Sequence, residues 1–227
     1  MILMNFVTNY IDALLRGATS PHLGNGSISV ARGMAIVLLG GAFYGSVMGT
    51  FGGFTGDRPL QAIYSGTKVP ILIMLTGALA MPSFFVLNTL LGLRSDFGEV
   101  IRALALSQTA VTVVLASLAP YTALWYASTM DYHAATLFNA MMFTVAALAA
   151  QWVLRRRYAS LIARNPRHRI TLRVWLVMYT FVGIQMGWVL RPFIGQPDRP
   201  VTFFREDAWG NAYVVILETV WIVISRR

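Results

Sequence analysis

The sequence predicts an all-α fold: a polytopic transmembrane helical bundle of about six spans, preceded by an N-terminal amphipathic interfacial helix. Three observations predict it. Of the 227 residues, 56% are hydrophobic and 12% charged, against about 25% charged in a typical soluble domain. The apolar residues fall in blocks of about 20, the length that crosses a hydrocarbon core of about 30 Å. The basic residues are also unevenly placed. Seven of the 18 lie between Arg155 and Arg173, wedged between two apolar blocks, the pattern of a retained cytoplasmic loop. This distribution argues against reading the net charge of +9 as a nucleic-acid surface.

The first element is the stretch 2–16. Leu3, Phe6, Val7, Tyr10, Ile11, Leu14 and Leu15 share one face at helical spacing, and Asn5, Asn9, Asp12 and Arg16 take the other. Such a helix lies in the headgroup region or packs on the cytoplasmic side of the bundle. Its start has no basic stretch and does not read as a cleavable signal peptide. A Gly/Ser/Pro-rich linker follows, so residues 1–29 form an amphipathic helix and linker ahead of a bundle at 30–227.

Six apolar blocks then run at about 33–53, 69–92, 101–120, 134–154, 171–190 and 211–224. The third extends past Pro120 towards Tyr126 in one reading. The sixth is short and contains Glu218, so five spans plus a re-entrant or peripheral last helix is the competing topology. With the 155–173 loop inside, 13 basic residues fall inside and five outside (Arg58, Lys68, Arg191, Arg199, Arg205). The expectation is a multi-pass protein of the inner (cytoplasmic) membrane with both termini in the cytoplasm.

Gly41, Gly45, Gly49 and Gly53 recur every four residues in the first span. Such a glycine zipper forms a flat groove that admits another backbone. A neighbouring helix of the same chain, a partner subunit or second copy, and a bound lipid or pigment are the candidate occupants. Glu218 is the acid set inside an apolar block; an ionised carboxylate there must be protonated, paired or turned to a polar cavity. Gln108, Asn139 and Gln185 either line a polar path with it or bond between helices. The 191–210 connection carries Arg191 and the aromatics Phe203, Phe204 and Trp209, which suit either a docked partner or the lipid interface.

Catalytic and metal motifs are absent from the sequence. The chain has no cysteine, which excludes disulfides, thiolate metal sites and a cysteine nucleophile. His22, His133 and His168 fall outside the expected spans and on two sides, so no metal or haem pair is predicted and no cofactor is expected. Ser65 and Lys68 lie three apart, without an identifiable oxyanion site to make them a catalytic dyad.

The run Gly-Trp-Val-Leu-Arg-Pro-Phe-Ile-Gly at 187–195 and Trp209-Gly-Asn-Ala-Tyr213 look like signature stretches of an uncharacterised bacterial membrane family, and Lys68-Val-Pro70 and Met81-Pro82-Ser83 place prolines in an early span. The chain resembles the prokaryotic Yip1-like polytopic proteins, an N-terminal stretch followed by five or six spans. The resemblance implies the bundle and carries over no activity or site residue.

The expected function is therefore a non-catalytic membrane protein, a scaffold, assembly or accessory subunit of a bacterial inner-membrane complex. Its expected partners are membrane lipids and either partner membrane subunits or further copies of itself. The alternatives are a small-solute or ion transporter using Glu218 and the intramembrane amides, and a membrane-embedded enzyme using Asp131 and His133.

Overall fold

A computed structural model describes residues 26–196, 199–205, 208–210 and 213–214. The expected helix at 2–16, most of the linker, Glu218 and almost all of the sixth block lie outside the described residues. Those described form α1 (Gly26–Met48), α2 (Arg58–Leu90), α3 (Phe97–Ser128), α4 (Tyr132–Arg164) and α5 (His168–Val189), with a 3-10 turn at Arg94–Asp96 and no strand. All five helices are long and apolar enough to cross a membrane. At about 1.5 Å per residue, the 33 residues of α2 and of α4 reach about 50 Å, well beyond a hydrocarbon core of about 30 Å.

The helix bounds differ instructively from the apolar blocks. α2 starts at Arg58, not near residue 69, because its first three turns are helical yet polar on one face. Lys68, expected in an outer loop, lies inside this helix and is fully buried. α3 continues through Pro120 to Ser128. The arginine-dense 155–173 stretch is mostly helix, since α4 runs to Arg164 and α5 begins at His168. The connector itself is 165–167, where the Asn165 side chain accepts from the Arg167 backbone N–H at 3.1 Å.

Short turns hold the remaining helices together. α2 ends where Gly92 takes φ of 73°, a left-handed conformation that costs a glycine little. α4 begins with Asp131 as its cap, the carboxylate accepting from the His133 backbone N–H at 2.9 Å.

The packing order is an arc of α4, α3, α1, α2 and α5. α1 is the keystone, lying against both α2 and α3, while α5 rests mainly on α2. α1 reaches α2 through glycines. A methyl group on Gly45 would stand 2.8 Å from the Ser65 carbonyl carbon, and one on Gly49 would stand 2.6 Å from Ala62 Cα. Gly41 faces Pro70 in the same way, at 3.3 Å. Gly53 does not share this contact. It lies in the turn after α1 with φ of 90° and open space around it.

Three apolar clusters fill the arc, one of them (Leu106, Ala110, Val113, Ala150 and Val153) lying between α3 and α4. At the arginine-rich end Phe84, Leu104, Leu154, Tyr158 and Trp175 join α2, α3, α4 and α5. At the opposite end Tyr44, Phe51, Val69, Leu115, Tyr126 and Met142 join α1 to α4 and leave α5 out. The two helices that end the arc, α4 and α5, therefore part towards the 191–205 end and leave a cleft.

Candidate functional site

The cleft is a cavity of about 970 Å³ bounded by α2, α4, α5 and the segment after α5. Each wall follows from a local feature of the sequence. Arg58, Gln61, Ser65 and Lys68 are spaced by three, four and three residues, so they fall on one face of α2. That face meets the chain after α5, where Pro192 and Pro200 remove backbone donors and disfavour helix. The carbonyls of such a segment need donors when they enter an apolar bundle.

The stripe on α2 supplies them. The Lys68 ammonium donates to Pro192 O at 2.7 Å, Gln61 Nε2 to Phe193 O at 3.1 Å, and Arg58 Nη2 to Gln196 O at 2.9 Å. Ser65 Oγ donates to Phe193 O as well. Leu190 and Ile194 are buried as a result. Phe203 turns inward too, edge-on to Tyr64 at 5.2 Å and beneath the Lys68 ammonium at 4.8 Å. Of the aromatics expected to meet a partner, Phe204 and Trp209 remain exposed, at 43% and 81%.

The α4 wall carries Asn139, almost fully buried. Its Oδ1 accepts from Tyr44 OH at 3.1 Å, and its Nδ2 donates to Tyr126 OH at 2.6 Å and to Ala135 O at 2.8 Å. Tyr126 OH in turn donates to Met48 O at 3.2 Å, one of the carbonyls left over at the end of α1. Three helices are thereby tied at one point. Gln108 is likewise engaged, accepting from Tyr179 OH at 2.7 Å, and Gln185 donates to Gly210 O at 3.2 Å. Gln108, Asn139 and Gln185 thus bond to different partners.

At the rim, Trp188 lies between two guanidinium groups. Arg191 Cζ is 3.9 Å from its ring centre and Arg205 Cζ 4.0 Å, distances of a cation–π contact. Burial, and after it the positive charge of Arg205, pull the Arg191 guanidinium below its ordinary pKa. Arg205 Nε and Nη2 and Trp188 Nε1 are buried without a hydrogen-bond partner. Both arginines line the cavity, and among the described residues no Asp or Glu does.

The other end of the bundle holds an ionic cluster. Asp96 Oδ2 meets the fully buried His168 Nε2 at 3.0 Å, and Arg164 pairs with Glu99 and stands 3.9 Å from Asp96. His168, expected in a loop, is the first residue of α5. Among the described residues, no three His, Asp or Glu side chains gather as a metal site.

Sequence reasoning missed the α2 stripe and the Arg–Trp–Arg stack. The stripe had a signal, its helical spacing just upstream of an apolar run. The stack had none, since it depends on a non-periodic fold-back. No protein-family model matches the chain, and comparison with curated proteins and with solved structures returns no match.

Proposed function

We infer that the chain is a non-catalytic membrane protein, a scaffold or accessory subunit of a bacterial inner-membrane complex, with both termini on the cytoplasmic side. The observation that carries this reading is where its intramembrane polar groups go. Tyr44, Asn139, Tyr126, Gln108 and Tyr179 bond to one another between helices, and the α2 stripe is engaged by the carbonyls of 192–196. A nucleophile or general base needs a free reacting atom in reach of a substrate. Asp131, a candidate for such a role, is a helix cap. The basic residues concentrated near 155–173 support the orientation.

The partner surface in this reading is the 191–205 end, where Phe204, Trp209, Tyr121 and Met130 stay exposed; large exposed aromatics are suited to anchoring a partner. Solubilisation in a mild detergent, pull-down and mass spectrometry test it. A stoichiometric membrane partner, lost on combined Phe204→Ala and Trp209→Ala substitution, is the expected result. A chain that purifies alone from native membranes without any such partner sinks the reading.

A small-solute transporter is the second reading, favoured by the cavity that enters from one end. Its continuation meets the cluster of Phe84, Leu104, Leu154 and Trp175, all buried. Flux in proteoliposomes that disappears in Glu218→Gln would favour transport over the accessory role.

A further inference from the structure

We propose that the cavity between α2, α4 and α5 is a binding site for an anionic amphiphile. A phosphate or carboxylate head sits against the Arg205 guanidinium at the rim, with Arg191 across the Trp188 indole adding positive charge, and a hydrocarbon chain descends between α4 and α5.

The size and shape fit this ligand class. Small-molecule sites run from about 300 to 1,000 Å³, and this one holds about 970 Å³. Its α4 wall extends from Tyr132 to Phe143, about 16 Å at 1.5 Å per residue. That is about half of a hydrocarbon core of about 30 Å, the depth of one leaflet. The polarity is graded along this length. Arg191, Arg199 and Arg205 stand at the rim, while Leu72, Phe143 and Ile184 form the lower wall.

The rim asks for an anion. Two guanidinium groups are held on one indole although they repel each other, and the buried Nε and Nη2 of Arg205 have no acceptor. A buried donor without a partner is costly, and a charged one more so. A planar or tetrahedral anion satisfies the Arg205 nitrogens and offsets the local positive charge, since guanidinium recognises carboxylate and phosphate through paired N–H groups. The lower wall asks for a chain. α5 rests on α2 and leaves α4, so the cleft opens sideways past Ile184, which is 44% exposed. An acyl chain enters by that route without crossing the polar rim.

The test uses the full-length protein, delipidated in a nonionic detergent, with thermal unfolding followed during titration. The probes are 1-oleoyl lysophosphatidic acid, oleate, oleyl alcohol and inorganic phosphate. The two anionic amphiphiles raise Tm saturably, whereas oleyl alcohol and inorganic phosphate do not. Arg205→Gln raises the half-saturating concentration at least about tenfold, as expected for a lost charge-assisted hydrogen bond, and Arg191→Gln raises it by less. Equal stabilisation by oleyl alcohol overturns the role of the arginines, and equal stabilisation by inorganic phosphate overturns the role of the chain. No shift with any probe overturns the site. Should the arginine variants fail to fold, Ile184→Trp decides the matter: it narrows the sideways opening and weakens binding of both anionic amphiphiles, and unchanged binding overturns the proposal.

Discussion

Replacing Gly45 by alanine probes the contact on which the arc is built. A new Cβ at this position meets backbone, with the Ser65 carbonyl carbon at 2.8 Å, its oxygen closer, and Gly66 Cα at 3.0 Å. Ordinary contacts begin at 3.4 Å, so α1 and α2 must separate by at least about 0.6 Å, a distance that well-packed interiors resist. No flexible side chain can yield instead, because the obstructing atoms belong to the peptide. Overpacking of this kind costs about 1–3 kcal/mol. Alanine is a better helix former than glycine by about 1 kcal/mol, so a net loss of up to about 2 kcal/mol remains. The assay is reversible unfolding in mixed micelles, with Gly98→Ala as control, since a methyl group there meets open space. Gly45→Ala should be destabilised and Gly98→Ala unchanged or more stable. Because the contact lies within one chain, the loss should not depend on protein concentration. Equal stability of the two variants, or a loss that vanishes on dilution into separate micelles, would refute the reasoning.

Further outcomes follow from the buried polar ties. Lys68→Met removes the shorter of two donors to Pro192 O and leaves it the Gln61 amide at 3.3 Å, a lost hydrogen bond costing about 0.5–1.5 kcal/mol; limited proteolysis should then cut the 191–205 segment faster, with cleavage elsewhere unchanged. Asn139→Leu deprives Tyr44 OH of its acceptor and Tyr126 OH and Ala135 O of a donor, and a loss of about 1–3 kcal/mol is expected in the same unfolding assay. A neutral effect at Asn139 would mean that the two tyrosines re-pair without it.

The five described spans were legible because each depends on a local quantity, the length of an apolar run. Their ends were not, and α2 shows why. Hydropathy reads Arg58, Gln61 and Lys68 as outside the membrane, yet one face of a helix can be polar when a proline-rich segment presents carbonyls to it. α4 errs the same way at its other end, where Arg155 to Arg157 continue the helix past the apolar block. The glycine spacing predicted a groove without naming its occupant, which among the described residues is α2 for Gly41, Gly45 and Gly49. The amides carried the same ambiguity, since sequence shows that Asn139 is polar but not that two tyrosines from other helices converge on it. Arg191, Trp188 and Arg205 were each visible, and only the fold-back after α5 stacks them.

The clamp of Lys68 on Pro192 O also has a chronology. A nascent chain releases α2 more than 100 residues before its carbonyl partner is made. Until then an ammonium on that helix stands without its mate. The hairpin of α1 and α2 is therefore complete in glycine packing yet unfinished in charge until translation passes residue 192. Any chain interrupted earlier lacks the acceptor that Lys68 has in the finished fold.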